Sequence, residues 1–150
     1  MTPWAEQPAL SMSIAAELEN VALVSVAVKA VMEYCGLPEQ DAGGFELALV
    51  EAMNNVIEHG YAYDAAQQLR VDLSIGAEEI ICDIVDHGQR LPEAVIRTLR
   101  DRAANLPSPL TLAESGYGLA LMSAHADDLI YRNTDGANML RLVKKWSGKR

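Results

Sequence analysis

The chain has little cysteine, few aromatic side chains and too few positive charges to balance its negative ones. Its two cysteines, Cys35 and Cys82, form no metal-ligating motif. Each sits in an apolar stretch, which predicts two buried thiols in a reducing compartment. One phenylalanine, two tryptophans and five tyrosines among 150 residues leave the core to be built mainly from aliphatic side chains. Lysine and arginine number 12 against 21 aspartates and glutamates, a formal net charge of −9. That deficit argues against nonspecific nucleic-acid binding, which needs an excess of cations on the protein. It suits a basic protein partner or simply a well-solvated surface. No basic segment followed by an apolar run opens the chain, so no signal peptide is expected. The apolar stretch Val21 to Met32 is broken by Lys29 and stopped by Glu33, too short to cross a bilayer. A soluble cytoplasmic protein is expected, with no membrane partner and no direct nucleic-acid partner. There is no internal repeat and no low-complexity tract, and the length is that of one domain with a proper core.

What the chain does have is the stretch Glu46 to Tyr61, ELALVEAMNNVIEHGY. Leu49, Val50, Met53, Val56 and Ile57 recur at spacings of three and four, so they share one helical face. Glu51, Asn54, Asn55 and Glu58 fall on the opposite face, with Glu51 and Asn55 four apart and therefore neighbours. Gly60 suits the left-handed position just past a helix C-terminus. A carboxylate and an amide oxygen held on one rigid helix can share a task. The amide oxygen is a hard neutral ligand of the kind Mg²⁺ accepts, and the carboxylate can orient or deprotonate a hydroxyl attacking a phosphate. A solvated polar face is the plain alternative.

Around that helix the periodicities predict the following order. Residues 1–8 read as a loose arm, Ala9 to Ile14 as a first strand, and Glu17 to Cys35 as a helix stopped by Gly36. Leu18, Val21, Ala22, Val24, Val28 and Val31 give that helix a broad apolar face. Pro38 opens a new segment that becomes the organising helix by Phe45. Leu69 to Ile75 alternates apolar and polar residues, and Glu79 to Asp86 follows across a short connection, so the pair reads as a hairpin. Pro92 to Arg102 contains a short helix, and residues 103–116 lack periodicity. Leu119 to Ala126 reads as a helix, Asp128 to Arg132 and Asn138 to Trp146 as strands, and Asn133 to Gly136 between them as a turn. Residues 147–150 form a tail.

Two loops carry further chemistry. Asp86 stands at a strand end, two residues before Gly88. This is either a turn or the floor of a pocket, where the carboxylate accepts a hydrogen bond from an adenine amino group and the glycine lets the backbone approach the base. Gly116-Tyr117-Gly118-Leu119 precedes a helix, an arrangement able to cradle a phosphate or, more plainly, a flexible loop meeting a helix.

Taken in order, these pieces resemble the GHKL family of ATP-binding domains, and within it the bacterial anti-sigma-factor serine kinases of stress-response and sporulation switches. Glu51 to Asn55 with Ile57 to Tyr61 is similar to that group's N box, Asp86 to Gly88 to the start of its adenine box, Glu114 to Leu119 to its second glycine box, and Asp135-Gly136 with Met139 to Leu142 to its final strand. The resemblance runs from about Leu10 to Lys145. It implies an α/β (α+β) two-layer sandwich of the Bergerat type, a mixed but mostly antiparallel sheet with helices on one face, over residues 9–146, with a lid at about 97–116.

The resemblance also implies roles. Glu51 would be the general base and Asn55 the Mg²⁺ ligand. Asp86 would bind the adenine amino group of ATP or ADP with Gly88 beneath the base. Gly116, Tyr117, Gly118 and Leu119 would contact phosphates. His59 would lie near them, or serve as an end-of-helix structural histidine. Two positions depart from the pattern: Arg90 stands where a second adenine-box glycine is usual, and Ala137 where a threonine is common, with Asn138 placed to supply the missing hydrogen bond to the nucleotide site. Arg90, Arg97, Arg100 and Arg102 crowd around the lid; one of them would meet phosphate or an acidic partner, or all would pair with nearby carboxylates. The implied function is an anti-sigma factor and serine kinase. It would sequester a sigma factor or similar transcription regulator, phosphorylate a STAS-type anti-anti-sigma protein, and form a homodimer. The alternative is a sequestering module without catalysis, its nucleotide structural or absent.

Overall fold

The structure, a computed structural model, describes residues 7–146; most of the expected arm and the whole expected tail lie outside the described residues. Five strands and four helices follow in the order β1 (Leu10–Ala15), α1 (Leu18–Cys35), α2 (Glu39–Asn55), β2 (Gln68–Ile75), β3 (Glu79–Asp86), α3 (Glu93–Ala103), α4 (Leu119–His125), β4 (Asp128–Thr134) and β5 (Ala137–Lys145). The strands form one sheet in the order β1-β2-β3-β5-β4, with each neighbouring pair antiparallel. The two-layer sandwich is the fold expected, but its sheet, expected to be mixed and mostly antiparallel, is antiparallel at every pairing among the described residues.

Alternation decides which face of the sheet is covered. Leu69, Val71 and Leu73 of β2 are at most 1 % exposed, whereas Arg70 between them is exposed. Their cross-strand partners Ile84 and Cys82 on β3, and then Leu142 on β5 and Leu129 on β4, continue the same buried row. Helices α1, α2 and α4 pack on that row. Full burial of one such aliphatic side chain is worth about 1.5–3 kcal/mol. Cys82 lies in this row and burial pushes its thiol up, so it stays a protonated apolar side chain. Cys35, expected to be buried as well, is only half-buried at the end of α1.

The α1 face differs from the expected one. Val21, Val24, Ser25, Val28 and Met32 are buried, while Leu18 and Ala22 face outward with Leu23, Val26 and Tyr34.

The organising helix starts earlier than Phe45, at Glu39, and runs through Gly43 and Gly44. Glycine inside a helix costs about 1 kcal/mol, and the fold offsets it by close packing. Gly44 is buried where α4 crosses α2, and a Cβ there would run into the His125 imidazole. At the other end α2 widens into a π turn, Val56–Gly60, closed by the Tyr61 N–H on the Val56 carbonyl at 2.8 Å. Gly60 is therefore not the left-handed residue expected. That conformation falls on Ala62 (φ 49°) and Tyr63 (φ 63°) instead. Such turns recur at functional sites because they re-aim the side chains around them.

Candidate functional site

At one end of the sheet the buried rows stop being apolar. The row on β3 runs Ile80, Cys82, Ile84 and ends in Asp86; that on β5 runs Leu142, Leu140 and ends in Asn138, its cross-strand partner. Both are buried, Asp86 to 6 % and Asn138 to 1 % exposure. Oδ1 of Asp86 accepts the Gly88 N–H at 2.8 Å and the Asn138 side-chain amide at 2.9 Å. Asn138 also donates to the Gly88 carbonyl at 2.9 Å. Oδ2 has no hydrogen-bond partner among the described residues. Burial raises the Asp86 carboxyl above the usual range, and the donors from Asn138 and Gly88 hold that rise back.

The loop after Asp86 is tied down residue by residue. The His87 N–H bonds the Tyr61 hydroxyl at 2.8 Å, the Gln89 N–H the Gly60 carbonyl at 2.8 Å, and the Leu91 N–H the Tyr131 hydroxyl at 3.1 Å. Tyr61 in turn donates to the Gln68 carbonyl at 2.6 Å. Burial pushes both phenols above their ordinary value, which keeps them protonated. Neither tyrosine was among the residues singled out from the sequence. The available signal was generic: a buried tyrosine needs a partner for its hydroxyl.

Gly88 is the glycine that the loop cannot replace. A Cβ there would lie 2.5 Å from the Gly60 carbonyl oxygen and 2.7 Å from its carbon. Gly88→Ala is expected to push the loop off Gly60, break the Gln89 bond and cost about 1–3 kcal/mol by overpacking. A urea midpoint unchanged from wild type would refute that reading.

The second cluster lies at the C-terminal end of α2. Glu51 and Asn55 project to the same side, half-buried, and the loop Gly116–Gly118 crosses over them. The Asn55 amide donates to the Tyr117 carbonyl at 2.5 Å. The Tyr117 ring lies 4.3 Å from that of His59, at 38°. Gly118 presses against the Glu51 side chain so closely that a Cβ would overlap its carboxylate. Gly116 (φ 73°) and Gly118 (φ 67°) are both left-handed, which is how so short a loop folds back onto the helix.

One cavity of about 220 Å³ joins the two clusters. Asn55, His59, Asp86, Tyr117 and Leu119 line it, with Arg90 at its edge; Leu91, Met122, Leu129 and Leu140 supply an apolar wall. Glu51, Gly88, Gly116, Gly118 and Asn138 stand beside or behind that lining. Of the arginines near the expected lid, Arg90 pairs with Glu93 at 3.2 Å and Arg102 with Asp128 at 3.8 Å, as the solvated-helix alternative anticipates. Arg97 and Arg100 are exposed. The segment between α3 and α4 is irregular apart from one short turn, Ala113–Ser115.

The donor set suits Mg²⁺ better than a softer metal. Asn55 commits its Nδ2 to Tyr117, which leaves Oδ1 as a free neutral oxygen. Among the described residues no group of three or more His, Cys, Asp or Glu side chains could hold a metal by itself. Mg²⁺ is the ion that takes one or two protein oxygens and completes its octahedron with water and phosphate. Among the described residues no helix is long and apolar enough to cross a membrane.

Known proteins resemble this chain in sequence and in fold. The chain is 23 % identical over 134 residues to serine-protein kinase RsbW of Bacillus cereus (strain AH187), covering 87 % of this chain and 81 % of the relative. It is 28 % identical over 134 residues to anti-sigma F factor of Clostridium perfringens (strain 13 / Type A), covering 87 % and 91 %. Among solved structures, the SiaB-SiaC complex of Pseudomonas aeruginosa matches the fold with a TM-score of 0.68 at 13 % identity, over 93 % of this chain and 90 % of that one. The RsbU and RsbW domains of a Mycobacterium tuberculosis protein match with a TM-score of 0.60 at 18 % identity, over 96 % of this chain but only 34 % of that longer one. The resemblance to anti-sigma kinases read from the motifs is thus repeated across most of the chain. The model of the histidine kinase-like ATPase domain matches residues 14–144, which takes in both clusters, the cavity between them and all five strands but the first four residues of β1 and the last of β5, and the chain belongs to that family.

Proposed function

We propose that this protein is an ATP-dependent serine-protein kinase that doubles as an anti-sigma factor. The observation that supports this best is the Asp86 carboxylate. One of its oxygens is saturated by protein donors and the other is left to a ligand, in a cavity that Asn55 also lines, with Glu51 one helical turn from Asn55 beneath the glycine loop. A free acceptor in a buried apolar pocket favours a ligand that brings a donor there, as the adenine amino group does. Gly88 keeps the backbone flat beneath the base. Asn55 offers its oxygen to Mg²⁺, which when bound neutralises phosphate charge. Gly116, Tyr117, Gly118 and Leu119 supply backbone at the phosphate end, and His59 stands beside them. Glu51 accepts the proton of the incoming serine hydroxyl. Residues 97–116 act as the lid of the single domain 9–146.

The acceptor is a serine on a STAS-type anti-anti-sigma protein, and the sequestered partner is a sigma factor or similar transcription regulator. The likeness to a serine-protein kinase and to an anti-sigma F factor supports a serine acceptor and a sigma-factor partner, and the STAS-type identity of the acceptor rests on the motif resemblance. A phosphoserine adds a charge of about −1.5 to −2 to the interface and releases that partner by repulsion and desolvation. A second copy of the chain, covering Leu23, Val26 and Tyr34 on α1, would make the homodimer.

Thermal melts with and without Mg-ADP test the nucleotide site. Saturation at a hundred times Kd stabilises by about 2.7 kcal/mol, a shift of several degrees for a chain this long. Asp86→Asn replaces the carboxylate by an amide and is expected to abolish the shift. A folded wild type with no shift at millimolar nucleotide would remove the site.

One observation favours a second reading, a sequestering module without catalysis whose nucleotide is structural or absent. The glycine loop covers both Glu51 and Asn55, and it engages the Asn55 amide directly. Phosphorylation of a STAS protein that requires both Mg²⁺ and Asn55 would eliminate this reading.

A further inference from the structure

β4 stands at one edge of the sheet, and among the described residues no strand lies beyond it. Its register with β5 runs unbroken from Asp128 opposite Val143 to Thr134 opposite Ala137, so the strand has no bulge there, and it contains no proline. Such an edge keeps a row of backbone N–H and C=O groups open to a further strand. A groove of about 280 Å³ runs between that edge and α3. Ile96, Leu99 and Arg100 of α3 line it, together with the consecutive run Leu129 to Arg132 of β4. Successive residues of a strand point to opposite faces, so four in a row border one groove only along the edge of the strand. Leu99, Leu129 and Tyr131 also line the cavity between Asp86 and Asn55, whereas Ile96, Arg100, Ile130 and Arg132 line the groove and not that cavity.

The charge beside the groove runs against that of the molecule. The chain has a net charge of −9. Arg97 and Arg100 are nevertheless both exposed, and neither pairs with a carboxylate among the described residues. Three residues apart, they are neighbours on α3. Arg90 and Arg102, before and after them in the chain, do have carboxylate partners. We propose that this groove docks an extended acidic segment of a partner protein, which adds to the five-stranded sheet beside β4. Backbone hydrogen bonds along the β4 edge hold the segment, and its alternate side chains supply the specificity. One set packs beside Ile96 and Leu99, and the acidic residues meet Arg100 and Arg97. A second copy of this chain adding its own β4 would bring the same arginines to the shared edge, which like-charge repulsion opposes. The groove does this whether or not a nucleotide fills the neighbouring cavity.

The measurement is the fluorescence anisotropy of a labelled seven-residue peptide, the length of β4, in which valine and glutamate alternate, titrated with the full chain. This peptide should bind, and the counterpart alternating valine and lysine should not. Arg100→Glu turns an exposed ion pair into a repulsion and should weaken binding by about tenfold; Arg100→Gln should weaken it less. The position is exposed, so both variants should melt near the wild-type temperature. A strand turns only every other backbone amide toward a given neighbour. N-methylation of one alternate set of the peptide's amides should therefore abolish binding, and methylation of the other set should leave it. Binding should also persist at millimolar Mg-ADP. No binding of the glutamate peptide at millimolar concentration, unchanged binding by Arg100→Glu, or equal effects of the two methylations overturns the proposal. Displacement by Mg-ADP overturns it too, by placing the peptide in the cavity. A peptide that splits a dimer of this chain into monomers on sedimentation gives the groove to a second copy and overturns the assignment to an acidic partner.

Discussion

Glu51→Ala is expected to lower phosphoryl transfer to a STAS substrate by about 10²–10⁴-fold, the usual contribution of a positioned general base, while ADP binding survives. The separation follows from where the two clusters stand. Glu51 sits on α2 beside the glycine loop, whereas the carboxylate proposed to hold the base is across the cavity on β3. Removing the Glu51 side chain also frees space against Gly118, whose Cα it packs on. Two readouts are therefore needed. Retained transfer would take Glu51 out of the chemistry. Loss of ADP affinity along with transfer would mean that its task is to seat the glycine loop.

Arg141→Met should unfold the protein more readily than any change at the site. On the sheet face away from the helices, Arg141 of β5 and Asp83 of β3 are cross-strand partners. Nε and Nη2 of Arg141 bond the two carboxylate oxygens at 2.8 and 2.9 Å, with both side chains nearly buried at 10 % and 8 % exposure. A methionine leaves the Asp83 charge buried without its partner, at a cost of about 3–5 kcal/mol. For a chain of this size that corresponds to a fall in Tm on the order of 10 °C. The double variant Asp83→Val, Arg141→Met removes both charges and should recover most of the loss, because two apolar groups there need no partner. A single variant that melts within a degree or two of wild type would show that water reaches the pair.

The alternating strands were readable because their pattern is set locally. Leu69 to Ile75 has one buried face, and a shift by one residue would bury Arg70 and Asp72. The last turn was legible too, but as four residues, Asn133 to Gly136; only Asp135 and Gly136, both at positive φ, make it, and Asn133 and Thr134 belong to β4. The α2 boundary was misread because Gly43 and Gly44 look like a break. Only the crossing of α4, with His125 lying on Gly44, explains why glycine belongs inside that helix. The left-handed role expected of Gly60 went to Ala62 and Tyr63 for a related reason. The π turn uses hydrogen bonds one residue longer than an α-helix does, and nothing in the local pattern announces it.

The sequence by itself determined the order of elements, the hydrophobic face of β2, the place of the last turn and which few polar residues were candidates for chemistry. These are consequences of periodicity and of side-chain identity, and they act over a few neighbouring residues. Only the tertiary structure decided that Asp86 and Asn138, 52 residues apart, share hydrogen bonds. It alone decided that Tyr61 and Tyr131 tether the loop between them, and that the glycine loop lies on Glu51 and Asn55. The physical reason is that a buried polar group must find its partner wherever the folded chain brings one, and that partner has no fixed distance along the sequence.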